Sequence, residues 1–217
     1  MVNYSSKTSH DGDPDKYSIW HDGVLSRFDF KDKDVLDIGC GTGGFLKYIR
    51  DTSRSVVGID PNPENCRIAT DLGLRTVCDY PENVSGMDNS FDIATCFEVI
   101  EHLYDHHGVM LAMSRMLRSG GVAIISTPNA FNIMRQIKFV LAHEHHDSLM
   151  DPTRASEPEH IRGWSMGMMR RLTDKTDSLK VVEVYGVGNI FGRTFVFRNS
   201  ILTKFLAQHL IAVIKKS

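Results

Sequence analysis

Short apolar runs alternate with amphipathic stretches along the first 130 residues of the chain. The apolar runs predict strands over 35–38, 55–59, 74–78, 92–97 and 122–127. Between them, apolar positions at helical spacing predict helices over 45–50, 64–72 and 109–117. A further helix before the first strand is indicated by Tyr17, Trp20, Val24 and Phe28. Because such strands join through right-handed crossovers, we expect an α/β, doubly wound and mostly parallel sheet.

The pattern changes after Pro128. Helices are predicted over 130–142 and 165–173, an irregular stretch lies between them, and two strands at 179–185 and 209–214 bring the predicted sheet to seven strands. We expect a flexible tail over 1–16 and a single domain over 17–217, with lid insertions near 130–165 and 187–207. Both insertions mix apolar and basic residues, which suits an acceptor lid, a membrane-surface helix, a dimer face or plain core packing.

Composition indicates the general class of protein but does not indicate its activity. The 217 residues suffice for one core, and the net charge of −2 gives no electrostatic reason to expect a nucleic-acid partner. No signal peptide and no run long enough to span a membrane is apparent, so we expect a cytoplasmic protein. The cysteines form no CxxC pair and are expected to be reduced: Cys40, Cys66, Cys78 and Cys96.

A glycine cluster, 34-DVLDIGCGTGGF-45, follows the first predicted strand. Its glycines satisfy both GxGxxG and GxGxG, so they predict a ligand-binding turn without naming the ligand. Asp37 distinguishes between the possible ligands, because a carboxylate beside this loop repels a pyrophosphate and favours a ligand with an ammonium and a sulfonium. S-adenosylmethionine is such a ligand. Asp60 ends the second strand, where it can accept ribose hydroxyls, and Asp79 is placed to bind an adenine amino group.

The chain resembles the class I S-adenosylmethionine-dependent methyltransferases, which have a Rossmann-like fold. The matching segments, in the family's order, are 35-VLDIGCGTG-43, 56-VVGID-60, 90-SFDIATCFEVIEHL-103 and 118-RSGGVAIISTPN-129. The resemblance implies that Asp60 binds the ribose, that Asp79 lies near the adenine and that Phe97 and Glu98 line the methyl-transfer face. It places the methionine end of the cofactor on Asp37, Gly39, Cys40, Gly41 and Gly43, and it adds Pro61 to the cofactor-binding residues.

The segment 98-EVIEH-102 adds a candidate for acceptor activation. If it is helical, Glu98, Glu101 and His102 share one face, and two carboxylates with an imidazole can form half of a divalent-cation site. A hydroxyl acceptor must lose a proton during methyl transfer, and either a metal or a general base can assist.

Two methyltransferase families have a similar segment: the quinone-biosynthesis O-methyltransferases and the small-RNA 3′-terminal 2′-O-methyltransferases. In the second, Glu-x-x-Glu-His and a later His bind Mg²⁺. That resemblance implies Mg²⁺ ligation by Glu98, Glu101 and His102, with His160 as the later histidine. The alternative is a metal-free site in which His102 or His160 is the catalytic base.

We therefore predict a methyltransferase that uses S-adenosylmethionine to methylate a hydroxyl of a small molecule. An RNA 2′-O-methyltransferase is the nearest alternative, and the balanced charge argues against it because phosphate contacts need clustered Lys and Arg. An NAD-dependent oxidoreductase and a non-catalytic cofactor-binding module are alternatives of other classes. Peripheral membrane contact through the lids is compatible with this pattern.

Overall fold

A computed structural model describes residues 23–142, 162–190, 193–198 and 200–217. The predicted tail, most of the first predicted helix and the stretch with His160 lie outside these residues. Within the described residues, no helix is both long enough and apolar enough to cross a bilayer.

The core is one sheet that has eight strands in the described residues, in the order β3-β2-β1-β4-β5-β8-β6-β7. Strands β1 to β5 pair in parallel, whereas β8, β6 and β7 continue the sheet with antiparallel pairings. Their bounds are Asp34–Ile38 (β1), Ser55–Ile59 (β2), Arg75–Val77 (β3), Phe91–Phe97 (β4), Leu117–Pro128 (β5), Leu179–Ile190 (β6), Arg193–Phe197 (β7) and His209–Lys216 (β8). The predicted doubly wound α/β class is confirmed.

The predicted number of seven strands is wrong, because β7 is an eighth. It lies in the aromatic-rich segment that the sequence suggested was a lid, and it pairs with the last five residues of β6. Residues 194 to 196 are half-buried or exposed, as expected for an edge strand.

Helices cover the sheet between the strands. Their bounds are Gly44–Ile49 (α1), Pro63–Asp71 (α2), His106–Met116 (α3), Ile133–Ala142 (α4), Met166–Arg170 (α5) and Ser200–Leu206 (α6). The start of α2 follows from local chemistry: the Asn62 side chain accepts hydrogen bonds from the N–H groups of Glu64 and Asn65, and Pro63 occupies the first turn.

The sheet separates two apolar clusters. Consecutive strand residues belong to different clusters, as Ile124 and Ile125 do on β5 and Val35 and Leu36 do on β1. Side chains of neighbouring strand residues therefore point to opposite faces, as the pleat requires. The four cysteines are all described residues with free thiols; Cys40, Cys66 and Cys96 are buried, whereas Cys78 is exposed.

Candidate active site

The predicted glycine turn joins β1 to α1 at the carboxyl edge of the parallel strands. Gly39 has a φ of 72°, and a side chain there would collide with Val99. Gly41 has a φ of 53°, but no heavy atom lies within 4 Å of the position that a Cβ would occupy. The turn thus packs on one side and exposes open backbone on the other, which is the arrangement a bound ligand requires.

Backbone bonds from the turn to the end of β2 hold it in place. The N–H groups of Gly39 and Cys40 both donate to the Ile59 carbonyl, at 2.7 and 3.2 Å. The Gly41 N–H donates to Asp60 Oδ2 at 2.9 Å, and Asp60 Oδ1 accepts from the Asn62 N–H at 2.9 Å. Asp60 therefore braces the glycine turn. Its Oδ1 also accepts from the Asn65 side-chain amide at 3.0 Å, so Oδ2 keeps a lone pair for a ribose hydroxyl.

Asp37 is the buried carboxyl group of the site, with 3% of its surface exposed. The Thr95 hydroxyl donates to its Oδ1 at 2.6 Å, and no Lys, Arg or His of the described residues forms an ion pair with it. Burial raises the pKa of Asp37 to about 7. The hydrogen bond from Thr95 lowers this pKa, whereas the nearby charge of Asp60 raises it further. A positively charged ligand would stabilise this carboxylate, so the residues present fit the ammonium end of S-adenosylmethionine.

The remaining predicted cofactor residues also lie at this edge. Asp79 follows β3, and its Oδ1 accepts from the Tyr80 N–H at 2.7 Å and the Asn83 side-chain amide at 2.8 Å. Phe97 ends β4 and packs edge-to-face on Phe45, with ring centroids 4.9 Å apart. Pro61, directly after Asp60, is half-buried. Their contacts with a cofactor stay predictions.

Cys40 contributes its backbone to the turn. Burial raises the pKa of its thiol well above the usual value, so the thiol is protonated near neutral pH.

Residues 98–102 do not form the single helix that would place Glu98, Glu101 and His102 on one face. Glu98 has a left-handed φ of 55°, and a 3₁₀-helix begins only at Ile100. The cause is a tertiary contact: the Glu98 N–H donates to the Ser126 carbonyl and hydroxyl oxygens, at 3.2 and 3.1 Å. Those bonds draw the backbone towards β5 before a helical turn can form.

As a result, the two glutamates do not share a face. The Ser126 hydroxyl donates to Glu98 Oε1 at 2.6 Å, whereas the Thr127 hydroxyl donates to Glu101 Oε2 at 3.1 Å. Ser126 and Thr127 are consecutive on β5 and point to opposite faces of the sheet. In the described ranges, no three or more His, Cys, Asp or Glu side chains are grouped so as to hold a metal ion. His160, the fourth predicted ligand, lies outside the described residues.

One histidine of the site was missed by sequence reasoning. His209 begins β8, and its Nδ1 lies 3.1 Å from Glu98 Oε2. Since β8 runs antiparallel to β5, the start of β8 lies at the carboxyl edge of the parallel strands. No sequence signal could have joined these residues, which are 111 positions apart and belong to no shared motif.

Two asparagines anchor both lid segments next to His209. Asn129 Nδ2 donates to the carbonyls of Thr203 and Ala207, at 3.2 and 3.0 Å, and Asn132 Nδ2 donates to the Ala207 carbonyl at 2.9 Å. Helix α4 starts directly after Asn132, and Ala207 directly follows α6. The two helices therefore rise from one buried polar junction at the site.

Solved structures with the same fold are known. A structure from Thermotoga maritima, described as an S-adenosylmethionine-dependent methyltransferase and possible histamine N-methyltransferase, matches 88% of this chain and 84% of its own with a TM-score of 0.66 at 16% identity. An S-adenosylmethionine-dependent methyltransferase from Archaeoglobus fulgidus matches 91% of this chain and 92% of its own with a TM-score of 0.64 at 15% identity. At such identities the likeness shows the fold.

Sequence relatives are more specific. The ubiquinone biosynthesis O-methyltransferase of Colwellia psychrerythraea is 28% identical over 66% of this chain and 63% of its own length. The enzyme of the same name from Xanthomonas oryzae is 32% identical over 50% of this chain and 48% of its own. The chain thus spans between about half and two thirds of these relatives. A protein-family model described as a methyltransferase domain matches residues 17–177, which is most of the chain. The protein therefore belongs to the methyltransferase-domain family, whose members support S-adenosylmethionine as its cofactor.

Proposed function

We propose that this protein transfers the methyl group of S-adenosylmethionine to a hydroxyl group of a small, largely apolar acceptor. The observation that carries the proposal is the buried Asp37 carboxyl beside the open glycine turn. A buried acid without a cationic partner destabilises the free protein, and a ligand with an ammonium group removes that penalty.

The chain's own residues divide the binding of the cofactor. The backbone at Gly41 offers the open surface, Asp37 receives the ammonium group, Asp60 receives the ribose and Asp79 receives the adenine. When bound, the cofactor supplies an electrophilic methyl group on a sulfonium. The protein then has to align the acceptor oxygen with that methyl group and exclude water.

The nature of the acceptor is suggested by the lids and by the relatives. Most of the large apolar side chains exposed among the described residues lie on α4, on β7 and on α6: Ile137, Val140, Leu141, Phe195, Val196, Ile201, Leu202, Phe205 and Leu206. These elements adjoin the polar junction of Asn129 and Asn132. An apolar surface at the mouth of the site suits a ring or lipid-like acceptor. The relatives named above are O-methyltransferases of ubiquinone biosynthesis.

We propose that the transfer does not use Mg²⁺ bound by Glu98, Glu101, His102 and His160. The arrangement of the first two supports this, because Glu98 and Glu101 bond to side chains on opposite faces of β5. The two hydroxyl groups thus hold the carboxylates of Glu98 and Glu101 towards different sides of the strand.

The test is transfer of labelled methyl from S-adenosylmethionine into host extract, separated into organic-soluble, RNA and protein fractions and run with Mg²⁺ or with EDTA. We expect label in the organic-soluble fraction, unchanged by EDTA. Label confined to RNA or protein would contradict the proposed acceptor, and loss of label with EDTA would contradict the metal-free transfer. Glu101→Gln is the matched variant for the metal question. Like the wild type, it should transfer the same amount of label with EDTA as with Mg²⁺.

A further inference from the structure

The Glu98 carboxylate connects two structural units, the turn after β4 and the start of β8. Its Oε1 accepts from the Ser126 hydroxyl at 2.6 Å, and its Oε2 faces His209 Nδ1 at 3.1 Å. The glutamate side chain is 7% exposed, whereas the His209 side chain is 22% exposed. The carboxylate is therefore buried and oriented, while part of the imidazole reaches the site or solvent.

The position of this pair relative to the cofactor loop is set by the strand order. Val99, the residue after Glu98, packs against Gly39 of the glycine turn. On its other side, Glu98 reaches across β5 to β8. The pair thus extends from the cofactor turn towards the junction from which α4 and α6 rise. His209 lies at the end of this line next to that junction, because it pairs with Pro128 of β5.

The tautomer of His209 follows from its partner. An ionised Glu98 can only accept, which would place the hydrogen of the Glu98 contact on Nδ1 and leave the lone pair of the ring on Nε2. Among the described residues, Glu98 is the only titratable group within hydrogen-bond distance of the ring. A carboxylate that holds one ring nitrogen while the other accepts a proton is a recurrent general-base arrangement.

We propose that His209 is the general base of the methyl transfer and that Glu98 is the residue that positions it. This inference rests on the function proposed above. Nε2 takes the proton of the acceptor hydroxyl while an oxygen lone pair forms the new C–O bond. The electron pair of the broken C–S bond stays on sulfur and cancels its positive charge. The imidazolium then loses its proton to water at the exposed part of the ring.

The backbone of Glu98 is consistent with this role. A φ of 55° is unfavourable for a residue with a side chain, and it is held by two bonds to Ser126. Backbone held in such a conformation is concentrated at functional sites.

The first test needs no methyl acceptor. Nitrogen-15 NMR of the histidine rings distinguishes the two neutral tautomers, and His209 is assigned by comparison with His209→Asn. We expect the Nδ1–H form in the wild type. In Glu98→Gln, the amide can keep the Ser126 bond through its oxygen and donate to Nδ1, so we expect the Nε2–H form. A wild-type ring in the Nε2–H form would overturn the proposal.

The second test separates proton removal from methyl transfer by using acceptors of different acidity. Catechol needs a base near neutral pH, whereas the more acidic 4-nitrocatechol is already partly ionised. His209→Asn should lower kcat for catechol by about 10²-fold or more and change kcat for 4-nitrocatechol much less. Glu98→Gln should also lower kcat for catechol, as His209→Asn does. His107→Asn, a change at an exposed histidine, is the matched control and should leave both rates unchanged.

Calorimetry of cofactor binding distinguishes a general-base role of His209 from a structural role. His209→Asn should bind S-adenosylmethionine as the wild type does. Equal loss of rate for both catechols together with weaker cofactor binding would show a structural role and overturn the base. A wild type that methylates neither these catechols nor any organic-soluble compound would instead overturn the proposed function, and the base with it.

Discussion

The aspartates at the two ends of β1, half-buried Asp34 and buried Asp37, have opposite electrostatic environments. Asp34 and Asp37 lie three residues apart on β1. At the amino edge, Asp34 accepts from Arg54 and Arg118, both at 2.9 Å, and from the Ser55 hydroxyl at 2.7 Å. At the carboxyl edge, Asp37 has Thr95 as its hydrogen-bond donor.

The pKa values record the difference. Burial alone would raise the pKa of Asp34, but the bonds from Ser55, Arg118 and Arg54 outweigh it and lower the pKa. For Asp37 burial dominates and raises the pKa to about 7. A groove opens at the amino edge, bordered by Asp34, Arg75 and Arg118, but Asp34 and Arg118 are already paired there. We therefore propose that the functional end of the sheet is marked by the buried acid that forms no ion pair with a described residue, and not by this groove.

The largest expected effect is on cofactor binding. Asp37→Asn removes the carboxylate that we assign to the ammonium group, and we expect the affinity for S-adenosylmethionine to fall by at least about 100-fold. Calorimetry at neutral pH measures it. Asp34→Asn, the same substitution at the other end of β1, is the control and should bind normally. Equal affinities for wild type and Asp37→Asn would remove Asp37 from the site.

The same substitution should stabilise the protein without cofactor. The pKa of Asp37 is raised on folding from 3.8 to about 7, so the folded state holds the proton more tightly and stability falls as pH rises between these values. Asparagine has no charge to bury, and we expect Asp37→Asn to raise the free energy of unfolding at pH 8 by about 2 kcal/mol. Urea denaturation at pH 5 and pH 8 tests this. A gain that is the same at both pH values would show that the carboxylate is not the cause.

Cofactor affinity should also depend on pH. Only the ionised Asp37 attracts a cationic ligand, so wild-type affinity should rise about tenfold as pH rises from about 5.5 to 7. Calorimetry in buffers of different ionisation enthalpy should detect release of a proton on binding at the lower pH. Asp37→Asn should show neither effect, and a wild type with a flat profile would contradict the raised pKa.

The smallest expected effect is at the amino edge. Arg118 bonds both Asp34 and Asp92, each at 2.9 Å, and is itself partly exposed. We expect Arg118→Gln to lower the free energy of unfolding by about 1 kcal/mol near neutral pH and to leave cofactor affinity unchanged. The pKa values of both aspartates are lowered, with burial opposing and hydrogen bonds prevailing, so this difference should shrink as pH falls below about 4. A difference that persists in acid would point to lost packing instead.

The sequence by itself determined the central β1–β5 architecture and the place of the glycine turn. Strand and helix periodicity are local properties, and burial of the periodic face is the dominant force that folds them. The glycine turn is equally local, because a left-handed turn between a strand and a helix needs glycine wherever it occurs. Asp37 could be assigned for the same reason: it lies two residues before the turn.

Only the tertiary structure decided what surrounds that turn. Ser126 draws Glu98 into a left-handed conformation, and the pleat of β5 then separates Glu98 from Glu101. The pairing of Glu98 with His209 depends on β8 being inserted beside β5, a property of strand order that no local pattern encodes. Hydrogen bonds between such distant residues form only after the sheet has brought them together. The entropic cost of closing the long loop between them is offset by packing of the whole fold and not by contacts within either segment.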